Sequence, residues 1–162
     1  MKLRNSARNI NRIIIHSTAT PEGREVSVDE ITRWHKHRGF STIGYHYVIG
    51  IDGEIEVGRS VQDSGAHTKG YNRRSIGVVY VGGMNKTMSK AKDTRTELQD
   101  VALTNLIKSL LKLYPTATVH GHNEFSDKAC PSFNVQEEYG FIWEPKETKD
   151  LLTKEEEEND EE

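Results

Sequence analysis

The sequence predicts an α/β fold in a single domain, with a central mixed β-sheet flanked by helices. Three observations carry that expectation. Short β-branched runs alternate with segments of helical periodicity, the pattern of an α/β layer rather than of a sandwich. One clear hairpin interrupts the alternation. The chain's 162 residues suffice for one sizeable core and not comfortably for two.

The elements follow in order. "RIIIHSTA" (12–19) is a β-branched run ending in small polar residues, which reads as a buried strand. "VSVDEITRWHKHRGF" (26–40) reads as a helix, with Ser27 as cap, Glu30 as its capping-box partner and Gly39 closing it. In "GYHYVIGIDGEIEVG" (44–58) two runs meet at Asp52-Gly53, a hairpin signature. Within it, period two places Tyr45 and Tyr47 on one face and His46 on the other. A loop over 59–75 leads into "IGVVYVGG", another buried strand, and "KTMSKAKDTR" is polar loop. "TELQDVALTNLIKSLLKLY" (96–114) has apolar residues at helical spacing, Thr96 as cap and Pro115 beyond its end. "ATVHGH" (117–122) is a last short strand.

Composition excludes several classes. The formal net charge of −3 shows no dominant basic face, so nucleic acid is not an expected partner. The longest apolar run is far short of a membrane span, and the basic start lacks an apolar h-region, so neither membrane insertion nor a signal peptide is expected. Synthesis is expected in the cytosol, with delivery to any outside target by another route. A single cysteine forms no internal disulfide. The expected organisation is an N-terminal arm (1–11), one domain (12–143) and a polar acidic tail (144–162) ending in "KEEEENDEE", which has too little apolar surface to pack.

That one cysteine lies in "HGHNEFSDKACPSF" (120–133). Pro131 steers Cys130 towards extended geometry, which presents Lys128 and Cys130 to the same side. A nearby cation and a metal both favour thiolate. Seven histidines are available as further ligands. His35 and His37 are two apart on a helix and diverge, so they form no pair. His16 ends a buried strand, where open α/β sheets place their ligands. His120 and His122 share a face if the strand persists through Gly121, and the residues alone do not choose between them. His16, one of that pair, and Cys130 make three N/S ligands with a fourth position open, the arrangement of a catalytic zinc. A thiol-protease reading of Cys130 finds no helix N-terminus or oriented base around "KACPSF".

Five blocks, "IIIHSTAT", "WHKHRGF", "IGYHYVIGIDGEIEVGR", "GAHTKGYNRRSIGVVYVGG" and "KACPSF", resemble in order the zinc N-acetylmuramoyl-L-alanine amidases of the phage-lysozyme type. Peptidoglycan recognition proteins share that family. The resemblance covers about Arg12 to Tyr139 and implies a mixed sheet with helices around it. It implies one zinc (Zn2+) per chain on His16, His122 and Cys130, so that His122 rather than His120 is the expected ligand. It implies Tyr45 and Lys128 as catalytic groups, and substrate contacts at His35, His67 and Asn72. The implied reaction is hydrolysis of the amide between N-acetylmuramic acid and L-alanine by a monomer whose partner is peptidoglycan or its muropeptides.

Two features depart from relatives. Many read "GH-Arg-Asp" after the last strand, where this chain has Asn123-Glu124. No cell-wall-binding module is recognisable, so targeting is expected from the groove itself. The competing function is a peptidoglycan-binding module without catalysis on the same fold. Plain structural roles compete at single positions: Tyr45 as a hairpin aromatic, Lys128 as a loop lysine, Trp34 and Phe40 as core.

Overall fold

The computed structural model describes residues 2–143, so the expected acidic tail (144–162) lies outside the described residues. The strand β1 (Arg12–Ser17) is followed by the short β2 (Thr20–Pro21), helix α1 (Val28–His37) and the hairpin β3 (Tyr47–Ile49) and β4 (Ile55–Val57). Then come β5 (Ser75–Tyr80), the short β6 (Gly83–Met84), helix α2 (Glu97–Leu113), β7 (Thr118–Gly121) and helix α3 (Val135–Tyr139). The main sheet runs β4-β3-β5-β1-β7; only β3 and β4 pair antiparallel, so it is mixed as expected.

Each face of the sheet is covered for a reason visible in strand alternation. Ile13 and Ile15 of β1 and Ile76, Val78 and Tyr80 of β5 pack on Leu103, Leu106, Ile107 and Leu110 of α2. Val48 and Val79 project to the opposite face, against Ile31 of α1. Register aligns Arg12 with Ser75, Ile14 with Gly77 and His16 with Val79. These six residues therefore occupy the α1 face, and His16 reaches it at the C-terminal end of β1.

Both long helices begin at the expected caps. Ser27 accepts from the Glu30 N–H at 3.1 Å, but the Glu30 carboxylate turns to Arg24, so the capping box is half made. Thr96 and Gln99 form a complete box at α2, and the Gln99 amide also donates to the carbonyls of Ile49 and Val81. That side chain pins the helix to the sheet.

Further features differ from expectation. The two-residue strands β2 and β6 are too short to leave a sequence pattern. The five-residue α3 rests on an Asn134 cap and on Arg95, which bonds Glu138 and Tyr139 and stacks on Phe133 at 3.7 Å. Trp34 is 37 % exposed, beside Arg24 rather than in the core. Tyr45 and Tyr47 do not share a face: β3 starts only at Tyr47, which packs on the α2 side, while Tyr45 packs on the α1 side. The period of two fails where the chain has not yet become a strand.

The segment expected as an arm is packed along the domain. Ile10 is buried in the α2-side core and Leu3 packs against it. The Arg8 guanidinium donates to the carbonyls of Val61 (3.0 Å), Arg73 (3.0 Å) and Ser75 (3.1 Å). Replacing it leaves partly buried carbonyls without their charged donor. Arg8→Ala is therefore expected to cost about 1.5–3 kcal/mol of stability, read by denaturant unfolding of the metal-free protein. An unchanged midpoint would mean the segment is held by its apolar contacts alone.

Candidate metal centre

Three side chains from distant parts of the chain converge on the α1 face. His16, 1 % exposed, ends β1; His122, 9 % exposed, opens the 3-10 turn after β7; Cys130, half-buried, lies in the loop before α3. One ligand atom from each lies within 4.8 Å of the others. His16 Nδ1 and Cys130 Sγ are 3.6 Å apart. A tetrahedral ion with bonds of about 2.0–2.1 Å to nitrogen and about 2.3 Å to sulfur sets those atoms roughly 3.5 Å apart. The residues present fit such an ion.

His120 belongs elsewhere. Strand β7 ends at Gly121, and the turn that follows carries His122 towards His16, with ring centroids 4.7 Å apart. The His120 ring is instead held between Thr118 Oγ1 (2.7 Å) and Glu124 Oε1 (2.8 Å). Glu124 also accepts from the Gly121 N–H and from the Gln136 amide, and Asn123 donates to the Phe133 carbonyl. The Asn123-Glu124 pair thus ties the turn bearing His122 to the segment that follows Cys130.

The donor set is electrically neutral without a cation. Burial pushes the Cys130 thiol up to about 11, against a smaller opposing pull from the Ser17 N–H, 3.2 Å from the sulfur, and from Lys128. Burial, then the neighbouring His67 and His122, hold His16 well below the ordinary histidine value. Burial and Lys128 bring His122 down to about 4. Two neutral imidazoles and a thiol in a poorly solvated site are suited to receive a dication, whose field releases the thiol proton.

Beneath His16 lies a layer of further histidines. His16 Nε2 is 2.9 Å from His67 Nδ1, and His67 Nε2 is 3.2 Å from Ser75 Oγ. A Cβ at Gly77 would come within 2.6–2.8 Å of the His67 ring, so that position must stay bare. His46 accepts the Gly77 N–H at Nδ1, and burial brings it down to about 3. His35 accepts the Gly44 N–H at 2.8 Å and is brought down to about 4, chiefly by burial. Asn72, 0 % exposed, accepts the N–H groups of His67 and Thr68, inside the loop and away from solvent. Among the expected substrate contacts, then, Asn72 presents no surface to a ligand and His67, 7 % exposed, very little.

Tyr45 stands beside the donors, its ring 5.1 Å from that of His16 and 5.3 Å from that of His35. Lys128 is exposed on the cysteine loop, close enough for its charge to act on His16, His122 and Cys130. Ser75 and Gly77 were not among the residues expected at the site. Their signal was two small residues at i and i+2 in an otherwise β-branched buried strand, a mark of something bulky packed against it.

A family model described as N-acetylmuramoyl-L-alanine amidase matches residues 6–133. The endolysin of Escherichia phage T7 is 42% identical over 125 residues, covering 76% of this chain and 82% of that protein. Among solved structures, the N-acetylmuramoyl-L-alanine amidase LysC from Clostridium intestinale superposes with a TM-score of 0.72 at 29% identity, over 83% of this chain and 86% of that one. Drosophila PGRP-LB superposes with a TM-score of 0.65 at 27% identity, over 80% and 79%.

The electrostatics give a pH prediction. Between pH 6 and 8 the depressed histidines are already neutral, and the raised thiol is the one donor that must lose a proton. Zinc affinity is therefore expected to rise about tenfold per pH unit across that range, with about one proton released per chain. A slope of two or more in chelator-competition titrations would show that a ligand histidine is protonated there.

Proposed function

The chain belongs to the N-acetylmuramoyl-L-alanine amidase family, and from that premise we propose that His16, His122 and Cys130 hold one zinc ion that serves its reaction. That reaction is hydrolysis of the amide between N-acetylmuramic acid and L-alanine in peptidoglycan. The observation that carries the metal assignment is the convergence of three N/S donor atoms within 4.8 Å. Two imidazoles and a thiolate suit zinc, and three protein ligands leave a position open for chemistry.

Hydrolysis adds a water oxygen to the lactyl carbonyl carbon, breaks the C–N bond and releases the L-alanine amine with a proton. Bound zinc supplies an acidified water and a Lewis acid for that carbonyl. The thiolate of Cys130 cancels part of the ionic charge, so neighbouring groups matter more. Tyr45, whose ring lies 5.1 Å from that of His16, donates its hydroxyl hydrogen bond to the oxygen that becomes negative. Lys128 adds positive charge from the cysteine loop, stabilising the same developing anion. His35 borders this space through Tyr45, its Nδ1 occupied by Gly44, and contributes a wall for the muramyl peptide. The protein acts as a monomer, and the groove provides its own targeting. A binding-only module on this fold is the competing reading; the third donor, Cys130, argues for catalysis.

Three variants separate the roles. Cys130→Ser exchanges a thiolate for a poor zinc ligand, so bound zinc and turnover should fall together. Tyr45→Phe and Lys128→Ala should keep zinc and KM while kcat falls about a hundred- to thousand-fold, the cost of one oxyanion donor. Elemental analysis alongside mass spectrometry of digested muropeptides reads both quantities. Absence of zinc from the wild-type protein with chelator-resistant cleavage would sink the metal assignment. Full activity in Tyr45→Phe would reduce that side chain to packing.

A further inference from the structure

The second nitrogen of His16 is engaged as specifically as the first. Nδ1 faces Cys130 Sγ, while Nε2 lies 2.9 Å from His67 Nδ1 and 3.3 Å from Thr68 Oγ1. A nitrogen that binds a metal carries no hydrogen, so with Nδ1 as the ligand atom the ring hydrogen of His16 is on Nε2. That hydrogen needs an acceptor, because the group is buried. His67 Nδ1 is nearer than Thr68 Oγ1, whose hydroxyl also lies 2.9 Å from His67 Nδ1 and can donate to it. To accept, His67 must carry its own hydrogen on Nε2, and that nitrogen is 3.2 Å from Ser75 Oγ. Each ring thus sets the tautomer of the next, down to a serine that is 0 % exposed on β5.

The surroundings are built to keep His67 in that pose. Its backbone N–H donates to Asn72 Oδ1 at 2.9 Å. Its ring lies over Gly77, where any side chain would collide with three ring atoms, and against Gly65, where a Cβ would come within 2.6 Å. Arg8 grips the Ser75 carbonyl from the N-terminal segment at 3.1 Å. A groove residue that met substrate would need exposed ring edges; His67 is enclosed by His16, Thr68, Ser75 and Gly77.

We propose that His67, supported by Ser75 and Gly77, is a positioning residue for the metal centre: it accepts the Nε2–H of His16 and thereby aims Nδ1 at the ion. This rests on the reading that His16, His122 and Cys130 bind zinc. Its role is metal affinity and ligand orientation, not contact with the muramyl peptide. Outer hydrogen bonds of this kind are typically worth 10–100-fold in metal affinity.

The test measures zinc dissociation constants by chelator competition on the full chain, together with KM and the tautomer of His16 by long-range 1H–15N NMR. His67→Leu removes the acceptor, and should weaken zinc binding about 10–100-fold. His67→Asn restores an acceptor oxygen near the Nδ1 position, and should recover most of that loss with the Nε2–H tautomer retained. Gly77→Ala should weaken zinc binding in the same direction without altering any polar group. Ser75→Ala should do so by a few-fold, and covers the case in which His67→Leu fails to fold. KM should be unchanged in the zinc-loaded proteins. Equal zinc affinity in wild type, His67→Leu and Ser75→Ala would overturn the proposal while leaving the zinc site standing. Equal losses in His67→Leu and His67→Asn would overturn it too, as would a raised KM with zinc affinity intact, which marks a substrate contact. A wild-type chain that binds no zinc would overturn the metal assignment itself, and this proposal with it.

Discussion

The contact on which the site depends is the edge-on approach of His16 to His67 above the bare backbone of Gly77. An imidazole buried against a sheet has two polar nitrogens to satisfy, and leaving either unpaired costs about 1–3 kcal/mol. His16 meets that demand with Cys130 Sγ on one side and His67 on the other. His67 in turn needs a hollow as deep as its ring, and only a residue without a Cβ at position 77 leaves one. The strand that carries Gly77 is therefore part of the site although it supplies no ligand.

Burial also sets the charge of the site. His16, His35, His46, His67 and His122 are all shifted towards neutrality, chiefly because their surroundings solvate an imidazolium poorly. Neutral imidazoles are the form that ligates metal and passes hydrogen bonds in one direction. The same burial disfavours a free thiolate at Cys130. Lys128 and the Ser17 N–H offset part of that cost from the rim.

Two of the three proposed donors, His122 and Cys130, sit on short, irregular segments that polar clamps hold against the core. Glu124 gathers His120, the Gly121 N–H and Gln136, fixing the turn of His122. Arg95 binds Asp93, Asp100, Glu138 and Tyr139 and stacks on Phe133, holding the end of the cysteine loop against α2. Directional bonds from this guanidinium add to the apolar packing of Phe133, Val135 and Tyr139 on the core. The sheet carries His16, and the clamps bring His122 and Cys130 to it.

Local sequence determined a good deal. The alternation of runs and helical periods, the caps at Ser27 and Thr96 and the Asp52-Gly53 turn are short-range properties, and the elements they predict are the ones present. The reaction was also legible, through five ordered blocks that resemble the amidase family; the cysteine and histidines by themselves left several readings open. Other features depended on the tertiary structure. Whether His120 or His122 faces His16 turns on where β7 stops, and the Glu124 carboxylate decides that by closing the turn on Gly121. The face occupied by Tyr45 depends on where β3 begins. The burial of His67 and Asn72 depends on a loop folding back onto Gly77 of a strand that follows it in sequence. Periodicity reports which side of its own element a residue occupies; which distant group waits on that side is set only when the strands align.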